Sequence, residues 1–514
     1  MLQPLKSASR YKVKSVSIPA PFGGLNSRDS VDLMKPTDAI VMSNFFPTVE
    51  KVTLREGYTS FCTSIGSGDV ETLVEHNAGS NRQLLAIGSN GTLYQIDTGS
   101  AVSKKTGLSN GRSQTTAFNG RTIFANGAEQ FSWDGSSAAD ISLTLSDSSA
   151  QGTLKGVHAH KNRIYWWRGG TDQSFYYSAT VDTFAGNMTL FNLGVVADKG
   201  GNIISMATIT IDGGEGLDDL LAIILSSGQV LVYSGSNPGS GFSLIGTFRI
   251  AEPVNEPRCV AKFGGDVAVS TKEGYIALSQ VMKNDVIGTR AAALSEKIRG
   301  TVIAQVASTG STTGWQTFVS PDGTKIYFNY PTGDTNDPYN QHVFNPIINA
   351  WCVFEALPAR VWGSYNGDTY FGGASGVVFK MGGFADVSDA ITGDVATAYN
   401  YFGDRSSIKR FSSVAPMLEA STTVSFDFGI AVDQEPVSAL NLSTTSFASE
   451  LATWDAASWD DFHWADQAGA GITQRRKSTS RLGRSAAVRI KVATSSQSVS
   501  FIAANFTYLP GGPF

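Results

Sequence analysis

Residues Leu84 to Asp97 read LLAIGSNGTLYQID. Leu84, Leu85 and Ile87 precede a Ser89-Asn90-Gly91 turn, and Leu93, Tyr94 and Ile96 follow it. Asn-Gly between apolar runs is a strong hairpin signal, because both turn positions take positive φ at little cost. The stretch predicts strand, tight turn, strand.

The same pattern returns along the chain. It recurs at Thr115–Trp133 with Asn119-Gly120 and Asn126-Gly127 turns, at Gly156–Ala179, at Asp219–Ser234, and at Val260–Ser279. It recurs again at Thr317–Pro331 continued by His342–Phe354, and at Val361–Met381. Each unit reads as strands separated by Gly turns. A propeller blade needs about 40–50 residues and buries both faces only against neighbouring blades. The expected fold is therefore an all-β chain built on a β-propeller of about seven blades, within a range of six to eight.

Composition agrees. The chain has 514 residues, 41% of them hydrophobic, with 54 glycines, 16% charged residues and a mean hydropathy of −0.06. That is enough apolar material for a large core and too little helix-forming periodicity for a helical one. A net charge of −5 carries no general nucleic-acid footprint. Three distant cysteines, Cys62, Cys259 and Cys352, do not make a disulfide scaffold and suit a reducing compartment. No run approaches the ~18 apolar residues of a membrane span. The basic N-terminus lacks an apolar segment behind it, so it does not read as a secretory signal. Synthesis in a cytoplasm is expected.

Three regions emerge. Residues 1–62 are an N-terminal arm, rich in Pro and Gly, and a segment leading into the propeller. Within it, Thr37-Asp38 is expected to cap a short helix carrying Ile40, Val41 and Phe45. Residues 63–383 hold the propeller, with a helical insertion near 285–300 whose centre is Arg290–Arg299, RAAALSEKIR, ending at Gly300. Residues 384–514 form a C-terminal β domain. In it, 448–466 carry five carboxylates, no Lys or Arg, and Trp454, Trp459 and Trp464, whereas 467–514 carry Arg475, Arg476, Arg481, Arg484 and other basic residues but no carboxylate side chain. The two segments are expected to pair, in cis or with a neighbouring subunit.

Catalytic signals are weak. His158 and His160 share one face of a strand and lack a third ligand, so they read as a structural pair rather than a metal site. Ser320-Pro321-Asp322-Gly323 reads as a type I turn. Asp218/Asp219, Asp334/Asp337 and Asp386/Asp389 sit in turn-rich contexts. Phosphate-loop, Cys-x-x-Cys, Gly-x-Ser-x-Gly and His-Glu-x-x-His patterns are absent from the sequence. No cofactor, metal or catalytic residue is assigned. The Trp454–Trp464 spacing suits either a carbohydrate-stacking platform or a loop whose rings anchor it to its own domain or to a neighbour.

One string is family-specific. Gly23-Gly24-Leu25-Asn26, Pro36-Thr37-Asp38-Ala39, Asn44-Phe45-Phe46-Pro47 and Arg55-Glu56-Gly57-Tyr58 resemble the opening of tail nozzle proteins (tail tubular protein B, or hub) of short-tailed bacteriophages. Gly274–Gln280, the Leu294–Ile298 segment, the Trp-Asp-x-Ala-x-Trp run and the final Tyr508-Leu509-Pro510-Gly511-Gly512 resemble the same group. The resemblance implies a virion protein without enzymatic activity, forming a homohexameric ring below the tail adaptor that extends and gates the conduit through which viral DNA passes unbound; tail fibres are a further candidate partner, their attachment left open. It also implies subunit or partner contacts, for which Phe22, Leu25, Trp454, Trp459, Trp464, Arg475, Arg476, Arg481 and Arg484 are the candidates. The alternatives are a receptor- or polysaccharide-binding tail component and a glycan-degrading propeller.

Overall fold

The computed structural model describes residues 12–170, 172–212, 217–254, 256–283, 293–335, 338–447, 471–474 and 476–511. The chain forms two units: one of 58–347 and 355–382, the other of 1–57, 348–354 and 383–514.

The first unit is an all-β propeller. Seven strands, one per blade, line its axis among the described residues: Val70–Ala78, Gln114–Phe118, Leu154–His160, Ile203–Asp212, Val260–Phe263, Gln316–Val319 and Val361–Tyr365. Each begins a sheet of antiparallel neighbours, to which Leu143–Leu145 adds a parallel strand beside Gly186–Asn192 in blade 3. Blade 7 is completed by Tyr58–Cys62, which pairs with Val378–Met381. The closing strand thus comes from just before blade 1, not from the Pro- and Gly-rich arm. Tyr58 sits edge-on to Phe371 and Phe379, each ring 5.1 Å away, which fixes the closure.

The stretch Leu84–Asp97 is an interior part of blade 1. Leu84, Ala86 and Ile96 pack with Val361, Tyr370 and Val378 of blade 7, while Leu85, Ile87 and Leu93 pack with Phe124, Phe131 and Trp133 of blade 2. Both faces are buried, which is why the strand is a continuous apolar run. Blade 4 repeats the device. Its Leu221 and Ile223 face Tyr165 and Phe175 of blade 3; its Ala222 and Ile224 face Val267 and Val269 of blade 5.

The turns divide into two kinds. At Asn119-Gly120 both residues have positive φ, 48° and 71°, in a two-residue hairpin. At Asn90-Gly91 only Gly91 does, at 69°. Asn90 acts through its side chain instead, accepting from the Thr92 N–H at 3.1 Å and donating to the Tyr94 hydroxyl at 2.9 Å.

The helical insertion is displaced from its expected place. Arg290–Ala292 lie outside the described residues. Ala293 bridges Ile276, and the Leu294 N–H donates to the Tyr275 carbonyl at 2.8 Å, so this part of the segment is extended alongside blade 5. Helix starts later, as α2 at Arg299–Thr309, preceded by a 3₁₀ turn and by the short α1, Leu278–Lys283. Gly300, expected to end the helix, lies in its first turn.

The second unit holds two sheets. In one, the 12-residue strands Lys409–Ala420 and Val499–Pro510 pair along their length. Lys14–Pro19 and Val52–Leu54 join the free side of Val499–Pro510, and Lys477–Gly483 and Gly471–Gln474 join Lys409–Ala420. In the other, Asp389–Thr397 lies between Asp38–Ser43 and Ala486–Thr494, followed by Val424–Val432 and Ser443–Phe447. The arm is therefore a paired strand of this unit. Ala350–Phe354, read above as the end of the sixth repeat, keeps its place after Tyr339–Asn345 in the strand order and runs parallel to Asp38–Ser43 at Val353. Thr37-Asp38 caps no helix. Asp38–Ser43 is a strand because three neighbours, Gly24–Leu25, Ala350–Phe354 and Asp389–Thr397, take its backbone groups.

Candidate functional site

Two places gather polar side chains in the buried interior. The first is the corner built by the N-terminal string. The chain leaves the second sheet at Ser43 and enters the first at Phe45, turning at Asn44 with φ 57°. Asn tolerates this left-handed conformation when its side chain is held. Here its Nδ2 donates to the Thr392 carbonyl at 2.8 Å and its Oδ1 accepts from Arg55 Nε at 2.9 Å. Arg55 continues to Asp386 through two bonds of 2.8 and 2.6 Å, with its side chain 1% exposed. Gly57 is required because a Cβ there would lie 2.0 Å from the Ala385 carbonyl oxygen. A second knot joins Asn26, whose Nδ2 donates to Asp38 at 2.8 Å and Asp29 at 2.9 Å.

The second place is the propeller axis. Its cavity of about 310 Å³ is walled by all seven inner strands. At one end Arg258 reaches from blade 5 to blades 1 and 2, donating to the Glu71 and Ser113 carbonyls and the Thr72 hydroxyl at 2.8–2.9 Å. Arg112 pairs with Glu256 at 2.9 Å, and Arg360 pairs with Glu71 and Asp69 at 2.8 Å each. Burial, then the neighbouring Arg112, draws the Arg258 pKa down to about 9.

His158 and His160 stand near the axis and both contact the Thr208 hydroxyl of blade 4 at 3.0 Å. One hydroxyl has a proton and two lone pairs, enough for two neutral imidazoles. Burial pulls His158 down to about 3 and His160 to about 4, in each case with help from adjacent positive charge. The arrangement recurs between other blades. His76 meets Thr122 at 3.0 Å, and His342 meets the Tyr275 hydroxyl at 2.8 Å. Among the described residues no group of three His, Cys, Asp or Glu is placed to hold a metal ion, and no helix is long and apolar enough to cross a membrane.

Three of the carboxylates singled out from sequence are engaged, and Asp337 lies outside the described residues. Asp218 pairs with Lys161, Asp219 accepts from Thr210, and Asp386 holds Arg55. Ser320–Lys325 is a turn, closed by the Gly323 N–H to the Ser320 carbonyl at 2.8 Å. Cys62, Cys259 and Cys352 are buried.

Of the candidate contact residues, Leu25 is 8% exposed, in the core of its own unit, and Phe22 is half-buried beside it. Leu25 is corrected to a core residue: its strand pairs with Asp38–Ser43, which turns its side chain inward. Trp454, Trp459, Trp464 and Arg475 lie outside the described residues. Arg476 and Arg484 are exposed, and Arg481 pairs with Glu435. Arg489 is held by Asp394 at 2.9 and 2.6 Å. The structure thus brings part of the basic stretch to carboxylates within its own unit. The axial arginines were not singled out from sequence; their signal, an Arg just before the inner strands of blades 2, 5 and 7, shows only once the strands are ordered.

No family model matches the chain, and no curated protein does. Among solved structures it is similar to the WD40 β-propeller domain of Doa1, at 11% identity and TM-score 0.38 over 63% of this chain and 97% of that one. It is also similar to BamB from Moraxella catarrhalis, at 14% identity and TM-score 0.36 over 72% and 96% of the respective chains. A third is the computationally designed Ika8 protein, at 10% identity and TM-score 0.35 over 66% and 95%.

Proposed function

We propose that this chain is a structural subunit of the tail nozzle of a short-tailed bacteriophage. Copies of it form a closed, sixfold ring below a tail adaptor, and viral DNA passes through the lumen of that ring. The role needs no catalysis, and its place is the virion.

The observation that carries this reading is the corner at Asn44. The four short strings of the resemblance fall within residues 23–58, and Asn44, Arg55 and Gly57 from two of them meet in one buried knot, with Asn26 and Asp38 in another of the same unit. A resemblance in residues that share one architectural task is stronger than one in scattered positions. Two further points support it. Arg258 spans one end of the propeller axis, so a conduit wide enough for duplex DNA would have to lie between copies. A net charge of −5 suits a wall along which DNA slides unheld.

The test is electron microscopy of the purified virion labelled with gold-conjugated antibody to this chain. Label on the tail axis below the portal is the expected result. Label on peripheral fibres, or none on the virion, would overturn the reading.

A further inference from the structure

We propose that a cationic, partly apolar face of the second unit, built on Arg410, Leu482 and Arg484, docks a second copy of this chain through that copy's acidic, tryptophan-bearing residues 454–461. The proposal rests on the ring reading above and names a contact between its subunits. Arg410 and Leu482 stand directly opposite each other on paired strands, so their side chains share one face of the sheet. Both are exposed, Leu482 at 63%, and Leu509 lies half-buried on the other side of Arg410. Arg484 follows the strand that carries Leu482 and is exposed as well.

Charge at this end of the sheet does not balance. Lys14, Lys409, Arg410 and Arg484 gather there across four adjacent strands. Two carboxylates stand beside them. Asp404 accepts from the Ser406 and Ser407 hydroxyls, and Asp433 accepts from the Arg484 and Ser485 backbone N–H groups. Glu435 is taken by Arg481. Lys409 donates only to carbonyls. Among the described residues the Arg410 and Arg484 side chains have no ion pair or hydrogen bond.

The complement lies in the chain's own sequence. Residues 454–461 read WDAASWDD, three carboxylates and two indoles without a cation. Carboxylates match guanidinium forks, and indoles lie well on guanidinium and aliphatic surface. The attachment points decide between the chain's own segment and a neighbour's. Residues 448–470 leave after Phe447, which pairs with Val424, and return at Gly471, which pairs with Ala420. Ala420 is the far end of the strand Lys409–Ala420 from Arg410, about 33 Å away at the rise of a β-strand. Contact within one chain would pull roughly twenty of those residues taut to go out and return, leaving about three to make it. A second copy's segment has no such tether. A contact in which each copy gives 454–461 and takes its neighbour's is head-to-tail, the kind that closes a ring.

The experiment is sedimentation of the full chain at low and high salt, with two charge-reversed variants. Arg410→Glu with Arg484→Glu reverses the face; Asp455→Arg with Asp460→Arg reverses the segment. The wild-type chain is expected to associate at low salt and to separate as salt rises. Each variant alone is expected to associate about tenfold more weakly or worse, because like charges then meet at every contact. An equimolar mixture of the two is expected to recover association, since each reversed face then meets a reversed segment and each native face a native one. Thermal unfolding of each variant, expected to match the wild type, shows that both are folded. A wild-type chain that stays monomeric at low salt, association unmoved in either variant, or folded variants whose mixture does not recover would overturn the proposal. Gold label on the tail axis alongside any of those results would keep the ring and place its contacts elsewhere; recovery on mixing without label on the virion would keep the contact and remove the tail.

Discussion

Arg55 shows how far a single side chain can organise this molecule. It bonds Asn44 eleven residues away and Asp386 331 residues away. Removing one partner from a buried ion pair leaves an uncompensated charge, at a cost of about 3–5 kcal/mol. Arg55→Ala is therefore expected to lower the unfolding free energy of its unit by about that amount in a urea titration. Arg55→Lys should recover little, because an ammonium cannot make the two-pronged contact with Asp386. The string containing Arg55 was legible as a motif. Its task was not, since Asp386 read only as one of many turn aspartates. The histidines add a pH term. His158, His160 and His342 have folded-state pKa values below the ordinary 6.5, chiefly through burial. A lowered pKa means stability that is complete above pH 6.5 and is lost as pH falls towards 4 and 3. For His342 the loss by pH 5 is about 2 kcal/mol. Melting curves from pH 7.5 to 4.5 should show a steady fall in Tm, and His342→Gln should flatten its slope.

Elements tell a more even story. Strands and hairpins were readable because an apolar run bounded by Gly turns has few other solutions. Asn119-Gly120 has the expected backbone geometry. Where the reading failed, a distant partner decided. Asp38–Ser43 has a plausible capping residue, yet three neighbouring strands outcompete a helix for its backbone. The Ala-rich segment before Gly300 has good helix propensity, yet Ala293 and Leu294 are captured by the edge of blade 5. The helix that did form carries an exposed glycine, and a Cβ on Gly300 meets nothing within 4 Å. Gly300→Ala is expected to stabilise the propeller by about 0.5–1 kcal/mol, measured by chemical unfolding. A loss of stability would mean that the backbone there is not helical in solution.

For the whole molecule, seven apolar repeats were enough to indicate a propeller. What no local pattern could reveal is the accounting of strands between the two units. Tyr58–Cys62 closes the propeller, while residues 1–57 serve the other unit. The same limit applies to the axial arginines, which come from segments nearly 250 residues apart in the chain and meet only after the circle closes.

The pairing of Lys14–Pro19 with Val499–Pro510 sets an order of events on the ribosome. Lys14–Pro19 is made before the propeller, and its partner after it. Translation must deliver the entire propeller before the early strand can find its place, so the nascent chain carries an unpaired edge for most of its synthesis. Stalled chains that have released residue 382 from the exit tunnel should hold a protease-resistant propeller and a cleavable first 57 residues. Protection of those residues should appear only once Val499–Pro510 emerges, and earlier protection would show that another surface shelters them in the meantime.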